Sequence, residues 1–324
     1  MSAGLSFDPS EDQQAVAASV ARFCEARDVE SAARNTEAAF PAELWRALAG
    51  MGIFAPTSPG FEASGGALEV CAICETLGMH AFPGPVAATF TAMQVLPELK
   101  REEVLAGDAL VSLANAGDTL LPYGTIADVF LLAGEDTVQL AEPSSSPVAV
   151  GTLGGDTWGR VALTPGETLG SSLRGLVIGD IARSAYLAGV ASRLLRETSE
   201  HAATRKQFGK ALGDFQAVSH PLADCAIGTT AARTLAHAAG SAFDSGDTDS
   251  ALHEAQRLAA GALNAARRSA LQAAYTCHQV YGGIGMTLEG PAFHLTRRIR
   301  QVASEPPARR REQGILLADA GLGV

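Results

Sequence analysis

The chain of 324 residues contains no run of about 20 apolar residues, so no segment of it is expected to span a bilayer as a helix. An excess of basic charge is also lacking. The net charge is −11, which argues against nucleic acid as a partner, because phosphate binding needs a concentrated cationic face. The first residues, with Phe7, Asp8 and Glu11, lack the basic region and apolar block of an export signal. Cysteine is sparse and scattered: Cys24, Cys71, Cys74, Cys225 and Cys277 form an odd count, as expected for reduced thiols in a cytoplasmic protein. Cys71-x-x-Cys74 lies in an apolar helical run with no second ligand pair nearby, so it reads as core packing. The histidines share no metal-ligand spacing, and no metal is expected. Aromatics are scarce at 6%, yet 47% of residues are hydrophobic, with abundant Ala and Gly. That is enough for a large core in two or three lobes.

What is present falls into three parts. Residues 1–108 read as helical. Asp8-Pro9-Ser10-Glu11-Asp12 supplies caps and early acids, and Pro41 to Gly52 runs from a proline start to a glycine stop. Further helices are expected near 66–78 and from Val86 to Leu96. Residues 109–171 change to short apolar runs (109–114, 129–133, 137–140, 160–163) between Gly, Pro, Asp and Ser, which predicts a small β domain of five or six strands. Residues 172–324 return to helical spacing. Helices are expected near 180–204, 214–243 and 250–280, with a turn at Ser245-Gly246-Asp247, as an antiparallel bundle stopped by Pro306-Pro307. The arginines gathered at 297, 298, 300, 309, 310 and 311 read as a solvated face, the alternative being a contact with a partner subunit or with phosphates, and Arg193 is expected off the apolar face of its helix.

One stretch interrupts the bundle: Arg205-Lys206-Gln207-Phe208-Gly209-Lys210-Ala211-Leu212-Gly213-Asp214-Phe215-Gln216. Gly209 and Gly213 suit a chain reversal. Arg205 offers a fork of donors, Gln207 a donor and an acceptor, and Phe208 a flat surface. Together they suit an anion beside an aromatic ring. A second unusual string, Gln279-Val280-Tyr281-Gly282-Gly283-Ile284-Gly285-Met286-Thr287-Leu288-Glu289-Gly290-Pro291 and then Arg297, follows downstream. The two strings in this order resemble the flavin-contacting segments of the acyl-CoA dehydrogenases, whose first segment has the form Arg-x-Gln/Thr-Phe-Gly.

The resemblance implies a mainly α fold with a small β domain between an N-terminal helical lobe and a C-terminal bundle. It also implies FAD as cofactor and an acyl-CoA as substrate. It places Arg205 on the FAD pyrophosphate, Gln207, Phe208 and Gln216 beside it, and Gln279, Gly282 and Gly283 along the adenosine. In the family these groups serve a flavin held mainly by a neighbouring subunit. The β-domain string that seats the flavin ring, Thr-Glu-Pro-x-x-Gly-Ser-Asp, has no counterpart here. The base that removes the α proton must be a desolvated carboxylate. Glu305 stands one place early for it, with Pro307-Ala308 where Gly-Thr is expected, and Asp180 stands beside the alternative position at Gly179, where it suits a helix N-terminus. Neither is in register, so no catalytic residue is assigned. The chain therefore resembles the short, degenerate subunit of the actinobacterial heterotetramers, two subunits of each kind, that oxidise steroid side-chain CoA thioesters. The expected partner is a catalytic acyl-CoA dehydrogenase subunit, with electron-transfer flavoprotein as candidate acceptor. Two other readings stay open: a self-sufficient homo-oligomer using Glu305 or Asp180, and a cofactor-free helical scaffold.

Overall fold

Ser10 opens the first helix, α1 (Glu11–Ala26), by a reciprocal pair of bonds. Its Oγ accepts from the Gln13 N–H at 3.2 Å, and its own N–H donates to Gln13 Oε1 at 3.0 Å. The computed structural model describes residues 9–35, 39–60, 65–152, 157–246, 248–307 and 309–322. Of the residues named above, Phe7, Asp8, Asp247 and Ala308 lie outside these ranges, as do the side chains of Arg309 and Arg310.

After α1 come α2 (Val29–Arg34), α3 (Ala42–Ala49), α4 (Ala67–Met79), α5 (Val86–Val95) and α6 (Glu98–Ala106). Every residue of α5 is buried, in keeping with its unbroken apolar and small composition. Seven short strands follow: β1 (Val111–Asn115), β2 (Leu120–Pro122), β3 (Val129–Ala133), β4 (Val138–Pro143), β5 (Val148–Val150), β6 (Trp158–Arg160) and β7 (Leu163–Thr168). They form two sheets, ordered β1-β3-β4-β7 and β2-β6-β5. Among the described residues only the β1–β3 pair is parallel, Val111 facing Val129.

The chain then enters α7 (Ser172–Thr204), a 33-residue helix through the middle of the molecule. It is followed by a two-stranded hairpin, β8 (Lys206–Gln207) and β9 (Lys210–Ala211), and by a short 3-10 turn at Leu212–Asp214. The long helices α8 (Gln216–Asp244) and α9 (Asp249–Tyr281) follow. A second 3-10 turn, Gly282–Met286, leads to α10 (Pro291–Ser304) and α11 (Arg309–Asp319). Alanines at 232, 236 and 239 of α8 and at 255, 259, 266, 270 and 273 of α9 are fully buried, so these helices approach closely over small side chains. Two glycines bring α4 and α7 into backbone contact. A Cβ at Gly78 would lie 2.1 Å from the Tyr186 carbonyl oxygen, and one at Gly189 would lie 2.0 Å from that of Glu75. No described helix is long and apolar enough to cross a membrane.

Several expectations are corrected. α7 starts at Ser172, whose Oγ accepts from the Val138 N–H of β4 at 2.9 Å, so Asp180 is a mid-helix residue and not an N-cap. The expected reversal after α7 is present as a strand hairpin. The arginines gathered near the C-terminus are only in part a solvated face: Arg300 is exposed, but Arg297, Arg298 and Arg311 are buried. Arg298 donates to Tyr186 Oη at 2.7 Å, Tyr123 Oη at 3.3 Å, and the carbonyls of Phe82 and Gly84 at 2.9 and 3.0 Å. Arg193 is buried too, because Glu30 and Glu197 each meet it at 2.6 Å. A cation can replace an apolar residue on an inward face when carboxylates and carbonyls satisfy its donors.

Candidate functional site

Three helix ends meet where the two unusual strings lie. α7 and α9 finish there and α8 begins there, since α8 runs back against both. The direct link is a ring contact. His201, one turn before Arg205, lies with its ring centroid 4.7 Å from that of Tyr281, the residue before Gly282, at an interplanar angle of 38°. Two strings far apart in sequence are thereby neighbours in space.

Arg205 closes α7, its N–H donating to the His201 carbonyl at 2.8 Å and its own carbonyl accepting from the Leu212 N–H at 2.9 Å. Its guanidinium is exposed, and no acid pairs with it among the described residues. The hairpin turn needs positive φ at both central residues, and Phe208 and Gly209 have φ of 51° and 85°. A phenylalanine in the left-handed region is uncommon, and this one is 92% exposed. Its ring meets Phe215 edge to face at 6.3 Å, and Lys210 Nζ lies 4.1 Å from the Phe215 ring centroid. The Gln207 amide donates to the Lys206 carbonyl at 2.8 Å. Gln216 starts α8, so the first-turn N–H groups and the positive end of that helix dipole are close to the hairpin.

On the α9 side, Gly282 takes φ 61° and ψ −134°, a conformation suited to glycine, and a Cβ added at Gly282 or Gly283 would meet nothing within 4 Å. Gln279, Gly282 and Gly283 line a mostly apolar groove of about 570 Å³ with Tyr275, Met286, Phe293, Thr296, Arg297 and Arg300. Tyr275 is 71% and Met286 69% exposed. Tyr275 and Arg300 are groove residues that belong to neither string. Their signal was helical spacing: Tyr275 lies one turn before Gln279 on α9, and Phe293, Thr296, Arg297 and Arg300 share one side of α10. Burial, with Arg205 nearby, lowers the His201 pKa, and burial with Arg300 lowers that of His278. Burial pushes the Tyr281 phenol up to about 12.

Glu305 and Asp180 lie elsewhere, where the β strands meet the bundle. A cavity of about 410 Å³ there is lined by residues that include Asn115, Asp118, Trp158, Arg267, Glu305 and Pro307. The backbone beside Glu305 is clamped: Arg183 donates to the carbonyls of Glu305, at 3.0 Å, and Pro306, and Arg267 donates to those of Glu305 and Pro307 at 3.1 and 3.2 Å. Asp180, only 2% exposed, is ion-paired with Arg311, and Arg267 is ion-paired with Glu312. Burial outweighs its cations and pushes Glu312 up to about 7. Trp158 is followed by Gly159 and Arg160, and Pro306 and Pro307 offer no N–H to a ligand.

Comparison with known proteins adds the following. A family model described as acyl-CoA dehydrogenase, C-terminal domain, matches residues 171–304, and one described as acyl-CoA dehydrogenase, N-terminal domain, matches residues 10–102. The acyl-CoA dehydrogenase IpdE2 of Mycolicibacterium smegmatis is 30% identical over 267 residues, covering 80% of this chain and 81% of that protein. The acyl-CoA dehydrogenase FadE34 of Mycobacterium tuberculosis is 31% identical over 300 residues, covering 83% of this chain. This chain matches only 42% of the length of FadE34. Among solved structures, PigA with FAD and proline superposes with a TM-score of 0.80 at 20% identity, over 98% of this chain and 100% of that one. The ChsE4-ChsE5 complex from Mycobacterium tuberculosis gives 0.73 at 23% identity, over 97% and 99%. A variant of the Tcur3481-Tcur3483 steroid ACAD gives 0.76 at 23% identity, over 96% and 99%.

Proposed function

We propose, from the premise that this chain belongs to the acyl-CoA dehydrogenase family, that it is the non-catalytic subunit of a heteromeric, FAD-dependent acyl-CoA dehydrogenase. In this reading it completes the adenosine and pyrophosphate half of a dinucleotide site whose reactive end belongs to the other subunit. The observation that carries it is the His201–Tyr281 contact, which joins the two cofactor-type strings on one outward-facing surface.

The residues fit one half of FAD. Arg205, exposed and without an acid partner among the described residues, together with the start of α8 at Gln216, would hold the pyrophosphate by charge-assisted hydrogen bonds. Gln207 and Phe208 would flank it. Gln279, Gly282 and Gly283 would lie along the adenosine, since the space beyond both glycines is open. The residues do not fit the other half. Pro306 and Pro307 have no N–H, and Arg183 and Arg267 already donate to the carbonyls of Glu305 and Pro307, which leaves few donors for an isoalloxazine edge. The chemistry FAD supplies when bound is acceptance of a hydride from the acyl β carbon. In this reading this chain's residues bind and orient, and the base comes from the other subunit. Asp180 is committed to Arg311, and Glu305 stands out of register for the base.

The substrate class is an acyl-CoA thioester. Similarity to the Tcur3481-Tcur3483 steroid ACAD supports a steroid side-chain CoA, and similarity to the ChsE4-ChsE5 complex supports a second, catalytic subunit. Purified alone, the chain is expected to be colourless and without turnover. Recovered through an affinity tag together with its partner, it is expected to be yellow and to oxidise acyl-CoA. Stoichiometric flavin and turnover in the chain alone would overturn the reading.

A further inference from the structure

We infer that His201 is a positioning residue for the dinucleotide site: its ring, set against Tyr281, holds the Arg205 end of α7 in register with the Gly282–Gly283 end of α9. This rests on the reading above and adds a residue that belongs to neither string.

Beyond Ala202, which packs into the core against the 212–214 turn, the end of α7 has little cover. Residues 203–210 are all exposed, and Ala202 is the last buried residue before them. Arg205 is tied to the fold by two backbone bonds, to His201 and Leu212. His201 therefore has two roles at once: its carbonyl receives the Arg205 N–H, and its ring rests on α9. Tyr281 is a firm surface for that ring. It is 8% exposed and lies beside Thr198, which is itself buried on α7 and donates to the Leu194 carbonyl at 2.6 Å. Burial, with Arg205 nearby, lowers the His201 pKa and so disfavours a second cation beside Arg205. A ligand bridging Arg205 and the glycine pair depends on their spacing, and an aromatic contact between the last turns of two helices is the device that sets it. Loss of the ring would free Arg205 to move without unfolding the bundle, whose core lies below this level.

The test is a double-mutant cycle on the complex recovered through a tag on this chain, reading bound FAD per copy by absorbance and its release rate on dilution. His201→Ala is expected to weaken FAD retention about two- to tenfold, the range set by one aromatic pair. His201→Phe should restore it, and the unfolding temperature of the complex without flavin should be unchanged. In an Arg205→Ala background, His201→Ala should have no further effect, because the group it positions is gone. An equal loss from His201→Ala in both backgrounds would overturn the inference, as would wild-type retention in His201→Ala beside a clear loss in Arg205→Ala. Wild-type retention in Arg205→Ala itself would take down both the dinucleotide reading and this inference.

Discussion

Replacing His294 with Leu should make the protein less sensitive to acid. His294 is 4% exposed on α10, neither ring nitrogen has a hydrogen-bond partner among the described residues, and Arg34, Arg193 and Arg297 are close. Burial, with those cations, lowers its pKa from 6.5 to about 3. In the unfolded chain the imidazole takes up a proton near pH 6.5, while in the folded chain it stays neutral down to about pH 3. The unfolded state therefore binds more protons throughout that window, and stability falls with pH across it. Each unit is worth about 1.4 kcal/mol, so this group alone removes about 2 kcal/mol between pH 6.5 and pH 5 and approaches 5 kcal/mol near pH 3. The assay is urea unfolding of wild type and His294→Leu at matched pH values, using the difference between them so that other titrating groups cancel. The difference should shift in favour of the variant by about 2 kcal/mol on going from pH 7 to pH 5. Parallel pH profiles would refute the reasoning.

Glu312 carries the opposite sign. Its folded pKa of about 7 lies above the usual 4.5, so the native state holds the proton more tightly and stability falls as pH rises through that interval, by about 3 kcal/mol. Glu312→Gln should flatten that slope in pH-dependent urea unfolding. Phe208→Gly should cost the isolated chain no stability, because relief of a left-handed φ offsets the added chain entropy of about 1 kcal/mol, yet the complex should lose flavin faster on dilution. Arg298→Met should destabilise the chain by about 3 kcal/mol in the same unfolding assay, because it leaves buried carbonyls at Phe82 and Gly84 without their cation.

Much of this was legible in the sequence, and the exceptions have physical causes. Periodicity found the long helices because Ala and Leu spacing follows their buried faces, and Ser10 announced its helix through capping chemistry. The start of α7 was hidden. From Gly175 to Ile181 it is buried on every side, so it carries no polar face to mark a period. The buried arginines are not legible in the sequence because charge usually marks solvent; their acceptors, such as the Phe82 carbonyl and Glu30, are supplied by distant segments. The two cofactor-type strings were recognisable from residue types and order. Their adjacency was not, because it depends on a His–Tyr contact across 80 residues, from 201 to 281. Tyr275 and Arg300 reach the groove only once α9 and α10 are packed together.

Photolabelling of the assembled complex with an azidoadenine analogue of FAD, followed by peptide mapping, tests most directly whether this subunit encloses the nucleotide end of the cofactor. The account predicts label on this chain within 205–216 or 275–300, lost in Arg205→Ala. Label among Asn115, Trp158 and Glu305, or on the other subunit alone, would contradict it.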